Sequence, residues 1–62
     1  MHDVIAIADS VRESCIEAAI RAYEDAGISG LCAEGRWELA IQAMRGLDTN
    51  SIVSSALEKT QD

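Results

Sequence analysis

The feature that most constrains this chain is a stretch from Asp3 to Ala26 in which apolar residues recur at helical spacing without a break. The chain contains no proline, and the stretch shows none of the alternation that marks a strand. Nine apolar residues fall on one side of the helical wheel, and most are small: Val4, Ile7, Ala8, Val11, Cys15, Ala18, Ala19, Ala22 and Ala26. Ile5, Ile16 and Tyr23 widen that side beyond the ~100° stripe of a surface helix. The pattern predicts one helix of about 35 Å, which is long for 62 residues.

Local signals predict where this first helix begins and ends. Asp3 can cap its amino terminus. The run from Ser10 to Glu13 also resembles a capping box, but the apolar arc keeps its phase through this run, which favours one continuous helix. Gly27 suits the left-handed position after a helix, with Ile28 then touching Tyr23 as in a Schellman motif. We expect the first helix to span about residues 3–26.

Two shorter helices are predicted after that turn. Ser29 can cap the second, over about residues 30–45, and Gly46 ends it by the logic applied to Gly27. Its apolar residues are three and four apart: Ala33, Trp37, Ala40, Ile41, Met44 and Leu47. Asp48 or Thr49 caps a short third helix, over about 49–59. The apolar edge of that helix is formed by Ile52, Val53, Ala56 and Leu57. The predicted fold is all-α, a helical hairpin plus a short helix, in one domain over residues 1–62.

A single domain of this size has little core with which to stabilise itself. It buries only about 60% of the surface of its unfolded chain, and small scaffolds rely on disulfides, metals, association or very close helix packing. His2 is the only histidine and Cys15 and Cys32 the only cysteines, so one chain cannot assemble a Cys/His metal cage. In a hairpin the two thiols are offset by more than ~10 Å along the axis, beyond the ~7 Å Cα limit of a disulfide. Self-association remains, and we expect a dimeric bundle, packed antiparallel about a twofold axis.

The candidate interface combines the small-residue face of the first helix with the apolar stripe of the second. Its residues are Val4, Ala8, Val11, Arg12, Cys15, Ala18, Ala22, Trp37, Ile41 and Met44. The competing interpretation is that this face only receives the second and third helices of its own chain. Arg12 either reaches Glu34 or Glu38 across the interface, since a buried arginine needs a carboxylate, or extends to water past the rim. The position of Trp37 in the stripe favours a core or interface role over ligand stacking.

Charge disfavours several classes of partner. Eleven acidic residues against five basic ones give a net charge of −6, which argues against nucleic acid and anionic membranes. No apolar run approaches the ~18 residues that span a bilayer, and the amino terminus does not resemble a secretory signal. We therefore expect a cytoplasmic protein. The stripe of Asp9, Glu13, Glu17 and Glu24 is interpreted as a solvated helix face, with a docking surface for a basic partner or a mimic of nucleic-acid phosphates as alternatives.

No group of residues forms a recognisable catalytic, cofactor or metal site. The acidic stripe lacks the histidines of the Glu-x-x-His motifs in di-iron bundles, and Cys32 has no histidine near it in the sequence. We expect no enzymatic activity from the chain alone and no cofactor. The sequence favours a small interaction module that acts through protein partners. The alternatives are an accessory subunit that docks on a larger enzyme and an acidic nucleic-acid-mimic inhibitor.

The run AYEDAGISGLCAEGRWE at residues 22–38, with the residues that follow to 47, resembles short uncharacterised bacterial helical proteins. Some of those proteins carry the name acetyltransferase. The resemblance covers about half of the chain, includes no mechanistic motif, and implies a bacterial, cytoplasmic, helical protein. Common N-acetyltransferases have a central sheet and an Arg/Gln-x-x-Gly-x-Gly/Ala loop that binds pyrophosphate. This sequence has neither, so that activity is not expected of it.

Overall fold

The computed structural model of the chain describes residues 4–60, except for the side chain of residue 60, and it is all-α. The helices are α1 (Val4–Ile28), α2 (Ala33–Arg45) and α3 (Thr49–Thr60). Their order and approximate bounds confirm the prediction. α1 continues without a break through Ser10, as the unchanged phase of the apolar arc indicates. The predicted cap at Asp3 lies outside the described residues.

α1 is a spine on which the other two helices pack. α2 runs back along the carboxyl-terminal half of α1, and α3 lies against the amino-terminal half. Within residues 4–60, α2 and α3 do not pack on each other. The molecule measures 46 × 15 × 14 Å, with a radius of gyration of 14.2 Å. A compact domain of this length is expected to have a radius of about 10.6 Å, so the chain forms a rod with a thin interior.

The turn after α1 corrects the prediction for Gly27. The left-handed residue is Gly30, with a φ of +90°. The amide of Leu31 donates to the carbonyl of Ala26, and that of Gly30 to the carbonyl of Gly27, both at 3.0 Å. These are the two hydrogen bonds of a Schellman motif. The motif exists, but three residues later than predicted, and Ile28 is the last residue of α1 rather than the residue after its cap.

The Arg36 side chain of α2 packs directly against Gly27, which lies within α1. Its guanidinium lies over the ring of Tyr23, with Cζ 4.1 Å from the ring centroid. Its Nε donates to the Tyr23 carbonyl oxygen at 3.2 Å. A Cβ at Gly27 would lie 2.7 Å from Arg36 Cζ, so a side chain there would displace the guanidinium. Gly27 therefore serves close packing between α1 and α2, whereas Gly30 provides the left-handed turn.

The start of α2 also differs from the prediction, and its end differs in conformation. Ser29 is not the cap, because it lies within the turn that ends α1. Cys32 occupies the N-cap position with extended backbone and makes no capping bond through its side chain, so α2 starts at Ala33. Gly46 ends α2 as predicted, although with a φ of −87° and a ψ of 1° rather than in the left-handed region. Its amide donates to the carbonyl of Gln42 at 2.9 Å.

Asp48 caps α3, which confirms the first of the two predicted caps. The Ser51 amide donates to Asp48 Oδ1 at 3.2 Å, and the Ser51 hydroxyl donates to Oδ2 at 2.7 Å. The Ser51 hydroxyl, followed by the amides of Ser51 and Asn50, lowers the pKa of Asp48 below its ordinary value of 3.8. These bonds favour the ionised carboxylate. They also satisfy a donor that would otherwise lack a partner in the first turn.

Replacing Asp48 with alanine is expected to lower the Tm by a few degrees, because α3 loses its cap. A folded-state pKa below the unfolded one gives stability that is present above about pH 4 and is lost as the pH falls through the lowered value. Asp48→Asn keeps a hydrogen-bond acceptor but cannot titrate. Its Tm at neutral pH should therefore lie between those of Asp48→Ala and the wild type, and it should lose this acid dependence. Thermal melts by circular dichroism between pH 2 and pH 7 measure both effects. Equal acid dependence in Asp48→Asn and the wild type would contradict the assignment.

Alanines form the interior. The hydrophobic residues buried within residues 4–60 are Ala26 and Ala40, each 3% exposed, and Ala56, 4% exposed. The predicted inner edge of α3 is confirmed, since its other members are half-buried: Ile52, Val53 and Leu57. The predicted stripe of α2 is confirmed in part, because Ile41, Met44 and Leu47 are half-buried but Ala33 and Trp37 are exposed. None of the described helices has the length and apolar character that crossing a bilayer requires.

Candidate interaction surface

Large apolar side chains lie on the outside of this molecule. Within residues 4–60 the exposed ones are Val4, Ile5, Ile16, Ile20, Tyr23, Ile28, Leu31, Trp37 and Leu39. Single exposed apolar residues are ordinary on protein surfaces, whereas a contiguous group rimmed by polar residues marks an interaction site. The question is which of these side chains lie together.

Three of them meet in a shallow groove between α1 and α2. Ile20 and Tyr23 from α1 and Trp37 from α2 line it, together with Ala19, Glu24, Arg36 and Ala40. Ile16 lies one helical turn before Ile20 and extends the apolar surface along α1. Trp37 is 61% exposed and Ile20 is 53% exposed. We name the surface formed by Ile16, Ile20, Tyr23 and Trp37 the Trp37 face.

The packing of Arg36 determines where Trp37 points. Arg36 docks on Tyr23 and Gly27 of α1, and the next residue lies about 100° further round the helix. The side chain of Trp37 therefore lies beside the α1–α2 contact rather than within it, and it is exposed in the groove. The expected core role of Trp37 is wrong within one chain. The interface role stays a prediction.

The structure divides the predicted interface residues into two groups. Val4, Ala8, Arg12 and Trp37 are exposed, whereas the others are half-buried by their own chain: Val11, Cys15, Ala18, Ala22, Ile41 and Met44. The small-residue centre of α1 thus serves in part to receive α2 and α3, as the competing interpretation held. Sequence reasoning left Ile16, Ile20 and Tyr23 out of the candidate interface. The four-residue spacing of the two isoleucines is the signal that could have placed them together.

Arg12 pairs within its own helix. Its Nη2 atom lies 3.1 Å from Asp9 Oδ1, and the two side chains are 68% and 54% exposed. An exposed pair of this kind contributes little to stability, about 0.3–0.5 kcal/mol on a helix. In the single chain Arg12 reaches solvent past the rim, which is the second of its two predicted roles, and its hydrogen bond and ion pair are with Asp9 rather than with Glu34 or Glu38.

The acidic residues are distributed along the whole rod. All four residues of the predicted stripe are exposed: Asp9, Glu13, Glu17 and Glu24. Further exposed acids lie on each helix and at the cap before α3, namely Asp25, Glu34, Glu38, Asp48 and Glu58. Within residues 4–60, no three His, Cys, Asp or Glu side chains are grouped so that they could hold a metal ion. Cys15 and Cys32 are both free thiols, the first half-buried and the second exposed.

The total surface shows how incompletely the chain covers itself. A compact monomer of 6.7 kDa is expected to expose about 3,900 Å². This chain exposes 4780 Å². The excess follows from the elongated shape of the rod, which measures 46 × 15 × 14 Å.

Comparison with known proteins gives no relative. No protein-family model, no curated protein and no solved structure matches the chain.

Proposed function

We propose that this chain is a small acidic helical interaction module that acts through protein partners and is itself a homodimer joined at the Trp37 face. The observation that carries the proposal is the exposure of Trp37, 61%, in a chain whose described buried hydrophobic residues are all alanines. Covering Trp37, Tyr23 and two isoleucines in an interface gives the molecule the large apolar contacts that its interior lacks.

The composition of the Trp37 face supports this proposal. Aromatic residues are enriched where interface energy is concentrated, and charged residues are depleted at interface centres. The apolar part of the groove is formed by Ala19, Ile20, Tyr23, Trp37 and Ala40. Glu24 and Arg36 are its charged members. We propose a cytoplasmic protein without catalytic activity of its own, as its sequence predicts.

Two other functions would use the same surface features differently. An accessory subunit would place the Trp37 face on a larger enzyme instead of on a second copy. A nucleic-acid mimic would need a dense acidic surface on one side. The acids here lie on all three helices and before α3, which favours the interaction module over the mimic.

Light scattering coupled to size-exclusion chromatography, at several concentrations, tests the proposal. We expect a mass of twice 6.7 kDa at micromolar concentrations, with helical circular dichroism. A well-folded monomer over the whole range would overturn the homodimer. It would favour the accessory-subunit alternative, in which another protein covers the Trp37 face.

A further inference from the structure

We draw no further inference here: the strongest candidate, the apolar groove of the Trp37 face between α1 and α2, lies beside the exposed carboxylates of Glu13 and Glu17 on α1, and nothing in the structure shows what covers it.

Discussion

Ile20→Glu is expected to convert the dimer into a monomer, with a fall in dimer affinity of at least about a hundredfold. Ile20 is 53% exposed in the single chain, so a carboxylate there remains hydrated and α1 can still form. In the proposed dimer the same position lies within the Trp37 face, which both chains bury. The substitution then places two carboxylates in one apolar contact, where each loses water without gaining a partner.

Ile28→Glu is the matched control for this prediction. It makes the same change on the same helix, at a residue that is 85% exposed and lies outside the Trp37 face. Light scattering at matched concentrations should give a dimeric mass for Ile28→Glu and a monomeric mass for Ile20→Glu. Two dimeric masses would show that association uses another surface, and circular dichroism on both variants shows whether helix content is preserved.

Ala26→Leu is expected to cost about 1–3 kcal/mol of the free energy of unfolding, which is the usual penalty for overfilling a packed contact. Ala26 is 3% exposed on α1 and Ala40 is 3% exposed on α2. A larger side chain at Ala26 must push α2 outward, and that movement disturbs the contact of Arg36 with Tyr23. Because domains of this size have only about 3–5 kcal/mol to lose, the loss is a large part of the total.

Ala33→Leu provides the comparison, because it adds the same atoms at an exposed position in the first turn of α2. Its effect should stay within about 0.5 kcal/mol. Urea unfolding followed by circular dichroism, at one fixed protein concentration, measures both variants. If Ala26→Leu were as stable as Ala33→Leu, the close approach of α1 and α2 at Ala26 would be wrong.

Local sequence signals were sufficient for most of the fold. The uninterrupted period of α1, the end of α2 at Gly46 and the cap at Asp48 each depend on residues within a few positions of one another. Capping and periodicity are local effects, and they predict such features well. The inner edge of α3 follows from the same periodicity.

The turn between α1 and α2 could not be predicted in the same way. Gly27 and Gly30 are both suited to end a helix, and nothing close to them in the sequence distinguishes the two. The use of Gly30 rather than Gly27 as the left-handed residue is associated with Arg36. This residue lies nine positions after Gly27 and occupies the space that a Cβ at Gly27 would fill. A tertiary contact thus accompanies the extension of α1 by two residues and the later start of α2.

The interaction surface was predicted only in part for a related reason. On the helical wheel Ile20 lies among the acidic residues of α1, opposite its small-residue side, and periodicity places Trp37 on the apolar stripe of α2. Exposure of both depends on how far α2 is rotated about its own axis, and the docking of Arg36 fixes that rotation. A helical wheel describes one helix at a time, so it does not predict how α2 is rotated relative to α1.

The separate attachment of α3 has a consequence for the behaviour of the rod over time. Since α3 contacts α1 but not α2 within residues 4–60, it can detach while the α1–α2 hairpin stays folded, as a local opening of lower free energy than global unfolding. Each opening bares the inner edge of α3, formed by Ile52, Val53 and Leu57, which are half-buried when α3 is docked. The molecule therefore has, besides its permanent apolar face, a second apolar surface that exists only transiently and is closed by Asp48 and the first turn of α3.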